Sequence, residues 1–147
     1  MGSTSDLPVM EKACLLLDEL QVPFEVNALS AHRTPEAVEQ FSRNAAGRGI
    51  RVIIAAQTTL PVIGVPIKGM LDGLDALLSI VQMPPGIPVA TVGVNAAQNA
   101  ALLACQMIAL SDEGLARRLA DYKEGLKGKI EKANKELAGL KFDYKTN

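Results

Sequence analysis

Apolar positions follow two different periods along this chain. They recur every three or four residues in five segments, which predicts helices at 7–20, 34–47, 70–81, 99–110 and 112–140. Short apolar or alternating runs between these segments predict strands at 24–29, 51–55, 60–65 and 87–94. Strands and helices therefore succeed one another along most of the sequence.

This alternation predicts an α/β fold with a mostly parallel sheet and helices on both faces. The chain has 147 residues, the usual size of one domain. We expect a single α/β domain over 1–147, in which about 112–147 form a C-terminal helical extension. The helix at 99–110 is apolar nearly all round, which indicates that it is buried.

Two places break the pattern. Only residues 56–59 separate two predicted strands, whereas parallel neighbours usually need a crossover of a dozen residues or more. In addition, Gly2-Ser3 opens directly onto a helix, although such a loop should follow a first strand in a doubly wound fold. The sequence therefore lacks a first strand and a crossover segment that this fold would carry.

Composition and charge narrow the classes of function. The net charge is −1 and aromatic residues make up 3% with no Trp, which argues against a nucleic-acid partner. No apolar run is long enough to span a membrane, and the N-terminus has no signal-peptide pattern. Cys14 and Cys105 lie in apolar helical patterns away from other potential ligands, which predicts buried reduced thiols, no metal and a cytoplasmic location.

The first candidate for chemistry is the loop Gly2–Asp6, which precedes a helix. Small residues at a helix N-terminus let backbone amides approach an anion. The hydroxyls of Ser3 and Ser5 can donate to phosphate oxygens, and Asp6 can accept from sugar hydroxyls. A simple capped helix start would carry the same residue types.

The second candidate is the segment Ser30–Pro35, which follows a predicted strand and opens a helix. His32 is the only histidine in the chain, and an imidazole can give and take a proton near neutral pH. Arg33 beside it can bind phosphate through two donors. A surface His and Arg would look the same, but both loops should lie at the ligand-binding edge of the sheet.

Taken in order, these and three further motifs resemble the bacterial 5-(carboxyamino)imidazole ribonucleotide mutase family. The matching segments are 2–6, 30–35, 59–66, 73–84 and 86–92, and the likeness extends to about residue 110. The resemblance implies a flavodoxin-like three-layer αβα sandwich, a compact homo-octamer and a reaction of purine biosynthesis. In that reaction a carboxylate moves from the exocyclic nitrogen to C4 of an aminoimidazole ribonucleotide, without metal, ATP or biotin.

The resemblance also assigns roles to individual residues. His32 would be the general acid and base, and Asp6 would bind the ribose. The segment Gln82–Pro84 would line the site from a neighbouring subunit. The phosphate would be held by Ser3, Ser5, Ser30 and Arg33.

The sequence departs from this family at the two places where the pattern already fails. The family carries a strand before Gly2, and a Gly/Ala-rich loop with a second His between the positions of Ala55 and Ala56. That loop contacts the base and helps to close the site. Two other functions stay open: a direct aminoimidazole ribonucleotide carboxylase that uses free carbon dioxide, and a non-catalytic phosphate-binding module on the same fold.

Overall fold

The computed structural model describes residues 1–54, 60–141 and 144. Its helices are α1 (Leu7–Glu19), α2 (Pro35–Ala45), α3 (Leu74–Val81), α4 (Ala97–Ala109) and α5 (Glu113–Ala138). Its strands are β1 (Ile53–Ile54), β2 (Val62–Gly64) and β3 (Ala90–Thr91), and two 3-10 turns cover Thr4–Asp6 and Ala46–Arg48. All five predicted helices are present, with shorter bounds at several ends.

The three strands form one parallel sheet in the order β1-β2-β3. Ile53 pairs with Val62, and Ile63 pairs with Ala90. The central strand β2 is fully buried, as expected for a parallel strand that is covered on both faces. This is the α/β architecture that the sequence predicts.

The core lies between α4, α1 and the sheet. Helix α4 buries Ala97, Ala100, Ala101, Ala104 and Cys105. These small side chains let neighbouring backbones approach closely, and Leu16 of α1 and Ile63 of β2 fill the space beside them. The prediction that this apolar helix is buried is therefore confirmed.

The predicted strand at 24–29 is wrong, because this segment has no strand structure. Its one ladder-like contact is with Met1, whose amino group donates to the Asn27 carbonyl at 3.0 Å and whose carbonyl accepts from the Leu29 amide at 2.9 Å. Two bonds of this kind are the pattern of a parallel ladder, one residue long. A strand needs a partner along its length, and one residue does not supply it.

Strands β1 and β2 lie at one of the two places where the sequence pattern breaks. They pair in parallel, although only residues 55–61 join them. Because the strands are two and three residues long, the chain has to return over only about one strand spacing, ~5 Å. Residues 55–59 lie outside the described residues.

Helix α5 begins at an Asp112 cap, whose side chain accepts from the Leu115 amide at 2.9 Å. Leu115 and Leu119 bury its first half against the body of the protein. Its distal half is exposed almost throughout and carries most of its lysines. Of the helices in the described ranges, none combines the length and the apolar character that crossing a membrane requires.

Candidate functional site

The loop Gly2–Asp6 is held together by its own side chains. Ser3 is the N-cap of the turn at Thr4–Asp6, and its hydroxyl accepts from the Ser5 amide at 3.1 Å. Asp6 completes a capping box, since its Oδ2 accepts from the amides of Gly2 at 3.0 Å and Ser3 at 3.1 Å. The hydroxyls of Ser3 and Ser5 are also hydrogen-bonded to each other.

Some of the hydrogen-bond donors of this loop are used within the loop itself. The amides of Gly2 and Ser3 donate to Asp6, so they do not serve as free donors for an anion. The hydroxyls of Ser3, Thr4 and Ser5 are other groups of the loop that can donate to a phosphate. Asp6 keeps its second oxygen, Oδ1, for a ligand, because that atom has only a 3.3 Å contact with the Ser5 hydroxyl.

The segment Ser30–Thr34 forms a tight turn that leads into α2. The Ser30 carbonyl accepts from the Arg33 amide at 3.2 Å and from the Thr34 amide at 2.7 Å. The Thr34 hydroxyl also donates to this carbonyl at 3.1 Å and accepts from the Ser30 amide at 3.0 Å. Ala31 and His32 therefore stand at the tip of a turn whose base is closed by hydrogen bonds.

Arg33 joins the two loops. Its Nη2 donates to the Gly2 carbonyl at 2.7 Å, and its Nε donates to the Ser30 hydroxyl at 3.4 Å. A guanidinium has five N–H donors, so it keeps others for a ligand. Arg33 thus brings the two segments together, although no strand forms at 24–29 to lead into the second one.

An open pocket of about 330 Å³ lies where the two loops meet, a volume at the lower end of the range for small-molecule sites. Three of the expected binding residues, Ser3, Ser30 and Arg33, line it. The other lining residues are Gly2, Thr4, Ala28 and Thr34. Arg33 carries the one charged side chain among these seven, so the pocket favours an anion.

Ser5, Asp6 and His32 stand just outside this lining. Ser5 and Asp6 stabilise the loop through the hydrogen bonds described above. His32 is exposed at the tip of its turn, and within the described residues its ring has no hydrogen-bond partner. His32 lies between Ser30 and Arg33 in sequence, so its backbone belongs to the turn that borders the pocket.

The sequence did not single out Thr4, Ala28 or Thr34 as site residues. Thr4 and Ala28 are neighbours of residues that it did single out. Thr34 stands at the N-cap position of α2, yet its hydroxyl bonds back to Ser30. Its place in the same short motif as His32 is the signal that could have revealed it.

A second pocket, of about 390 Å³, lies between the end of α1 and the middle of α5. Its charged lining residues are Glu19, Arg118, Asp121 and Lys129. Because these opposite charges balance, the pocket has no preference for an anion. None of the residues expected in the site lies there.

The prediction of two buried thiols is confirmed for Cys105, whereas Cys14 is only half-buried. Burial raises the pKa of the Cys105 thiol, which the nearby Arg118 only partly opposes. Burial also raises the pKa of the Cys14 thiol. Both thiols therefore stay protonated near neutral pH and are poor nucleophiles. No group of three His, Cys, Asp or Glu side chains suited to a metal occurs in the described part of the chain.

Comparison with known proteins places this fold and site in a family. The family model described as AIR carboxylase matches residues 1–129. The N5-carboxyaminoimidazole ribonucleotide mutase of Methanocaldococcus jannaschii is 51% identical over 88% of this chain and 89% of its own length. The protein of the same name from Bacillus subtilis is 48% identical over 93% and 94%.

A solved structure gives the same result for the fold. The structure titled Treponema denticola PurE superposes with a TM-score of 0.71 at 26% identity, over 93% of this chain and 94% of that one. The chain belongs to the AIR carboxylase family, and it has the flavodoxin-like α/β fold with a long C-terminal helix.

The alignments also bear on the missing segments. The alignment with the M. jannaschii protein has 140 positions. Only 88% of the 147 residues of this chain take part in it, and this number of residues is smaller than 140. That relative therefore has residues inside the aligned region that this chain lacks.

Proposed function

We propose that this protein is an N5-carboxyaminoimidazole ribonucleotide mutase of de novo purine biosynthesis. One observation carries the proposal: Arg33 joins two loops into an anion pocket beside the single histidine. The relatives with this name are about half identical over most of the chain, which supports a ribonucleotide phosphate as the anion.

The substrate is held at its phosphate and its sugar. Ser3, Ser5 and Ser30 donate hydroxyl protons to the phosphate, and Arg33 adds a charged donor. Asp6 accepts from a ribose hydroxyl through Oδ1, while its Oδ2 keeps the loop in shape. The base of the nucleotide then extends from the pocket towards the turn that carries His32.

His32 moves the protons of the reaction. The protonated imidazole gives a proton to the exocyclic nitrogen as the bond to the carboxylate breaks, which releases carbon dioxide in the site. Ring carbon C4 then attacks the carbon dioxide, and the imidazole removes the C4 proton to restore the aromatic ring. One group that both donates and accepts a proton suits this sequence of steps.

The reaction as proposed uses no cofactor, because the substrate itself supplies the carboxylate. The carbon of the transferred carboxylate keeps its oxidation state and no water is consumed. The reaction therefore needs neither a redox group nor ATP. The site must instead keep carbon dioxide from escaping. A direct carboxylase would share His32, and two much longer relatives are named carboxylases, but the relatives that match over most of their own length are named mutases, which favours the mutase.

We further propose that the protein acts in the cytoplasm as a homo-octamer, without a nucleic-acid or membrane partner. Free Cys14 and Cys105 suit a reducing compartment. Leu74, Leu78 and Val81 form an apolar face on α3 and are 51%, 45% and 56% exposed in the single chain. A second copy that covers this face would also place its own site close to Gln82–Pro84, which lies at the end of α3 in the first copy.

The test of the proposed function is the variant His32→Asn, with turnover measured on the carboxyamino ribonucleotide. Turnover should fall by about 10²- to 10⁴-fold, because asparagine cannot shuttle a proton. Binding of the ribonucleotide, measured by calorimetry, should persist because the phosphate donors are unchanged.

Two outcomes would count against this function. Unchanged turnover in His32→Asn would remove the proton-shuttle role. Turnover of the wild-type protein with aminoimidazole ribonucleotide and bicarbonate, but not with the carboxyamino substrate, would favour the direct carboxylase.

A further inference from the structure

Thr34 occupies the N-cap position of α2 but does not cap the helix. Its side chain makes no hydrogen bond to the free amides of the first turn. Threonine is common at this position because its hydroxyl usually accepts from one of these amides. In this chain the helix start relies on Pro35 at its first position and on the negative charge of Glu36.

The Thr34 hydroxyl is instead turned back to the preceding loop. It accepts from the Ser30 amide at 3.0 Å and donates to the Ser30 carbonyl at 3.1 Å. Both hydrogen-bonding roles of the hydroxyl are thus used on the backbone of a single residue. The residues that this pair of bonds encloses are Ala31, His32 and Arg33.

The Thr34 side chain therefore links the last residue of this loop to its first residue, Ser30. Ser30 and Thr34 both line the anion pocket, and His32 stands at the tip between them. The imidazole itself has no hydrogen bond that would orient it among the described residues. Its position therefore depends on the backbone of this turn, which the Thr34 hydroxyl helps to hold.

We propose that Thr34 is a positioning residue for His32, whose hydroxyl orients the turn at the expense of the helix cap. This inference rests on the proposed function, in which His32 transfers the protons. It predicts that loop order and helix stability respond in opposite directions to substitution at this position.

Three variants of the full chain test the proposal. Thr34→Val removes the hydroxyl at nearly constant shape, and Thr34→Ser keeps it. Thr34→Asn supplies a side chain that is a good helix cap but lacks the hydroxyl. We expect kcat to fall by about 10- to 100-fold in Thr34→Val and in Thr34→Asn, since a small misplacement of a catalytic group costs up to ~10² in rate.

The accompanying measurements separate positioning from a merely structural role. In Thr34→Val and Thr34→Asn, KM should change less than kcat. Thr34→Ser should keep most of the wild-type rate. The melting temperature of Thr34→Asn should equal or exceed that of the wild type. Full kcat in Thr34→Val, or in a folded Thr34→Asn, would overturn the proposal. Lost activity with lowered stability in all three variants would overturn it as well.

Amide hydrogen exchange across residues 30–34 gives a readout that does not need the reaction. Thr34→Val should speed exchange in this segment and Thr34→Ser should leave it unchanged. Faster exchange in a protein without mutase turnover would refute the proposed function while it supports the role of Thr34 in the loop. Unchanged exchange in Thr34→Val would refute that role.

Discussion

At the scale of single residues, the Ser30 hydroxyl can both accept hydrogen bonds from Arg33 and donate one to a ligand. Its oxygen accepts from the Arg33 amide at 3.3 Å and from the Arg33 Nε at 3.4 Å. A hydroxyl that accepts in this way still has its own proton to donate. Ser30 can therefore orient Arg33 and bind a phosphate oxygen at the same time, which couples the two donors of the pocket.

Arg33→Ala should weaken substrate binding much more than it slows the chemistry. A hydrogen bond to a charged group contributes about 1.5–3 kcal/mol, which corresponds to a rise in KM of about 10- to 100-fold. Steady-state kinetics measure this change. Arg43→Ala is the matched control, because Arg43 is an exposed arginine of α2 that pairs with Glu39. An equal rise in KM for both variants would show that Arg33 has no specific role.

Much of the residue chemistry could be predicted, but not the direction of each side chain. The sequence predicted that the loops of Ser3 and Ser30 meet, but the strand used in that argument does not form, and the bond from Arg33 to the Gly2 carbonyl joins the loops instead. It did not predict that Asp6 folds back onto Gly2 and Ser3, or that Thr34 turns away from its helix. Such choices depend on rotamers and local backbone angles, and both outcomes are compatible with the same residue types.

At the scale of elements, every helix predicted from its apolar period is present in the structure, whereas one of the predicted strands is not. An α-helix satisfies its backbone from within, so the sequence of α1 or α5 contains most of what decides it. A strand depends on a neighbour, which the pattern of 24–29 cannot reveal. The parallel pairing of β1 and β2 likewise depends on strand length and on the chain that joins them.

Helix α5 should show a sharp contrast between its two halves. Leu115 is 1% exposed, so Leu115→Ala should lower the free energy of unfolding by about 2–5 kcal/mol. Leu137, on the distal half, is 55% exposed, and Leu137→Ala should change it by less than about 0.5 kcal/mol. Denaturant titration of both variants tests this. Equal losses would mean that the distal half is packed in solution.

At the scale of the whole molecule, the site is open in the single chain. His32 is exposed, the pocket faces solvent, and the M. jannaschii relative has residues inside the alignment that this chain lacks. A reaction that releases carbon dioxide needs a closed site. Under the proposed function, the covering groups would come from a neighbouring subunit, so that assembly and activity would be linked.

Leu78→Asp should therefore disrupt the assembly. A charge at the centre of the apolar face of α3 would be buried without a partner in an interface. We expect a smaller particle by light scattering at micromolar concentration, with an unchanged circular dichroism spectrum. Ile130→Asp on α5, where the side chain is 64% exposed, is the control. A full-size assembly of Leu78→Asp would show that this face is not a contact surface.

The unpaired segment at 24–29 also affects how the protein behaves at high concentration. Apart from the contacts with Met1, the amides and carbonyls of this stretch have no backbone partner among the described residues, and Phe24 and Val26 are 43% and 50% exposed. A free edge of this kind is a template for adding a strand from another molecule, which is the first step of aggregation. Pro23 at its start and the charge of Glu25 within it are the features of the sequence that oppose such growth.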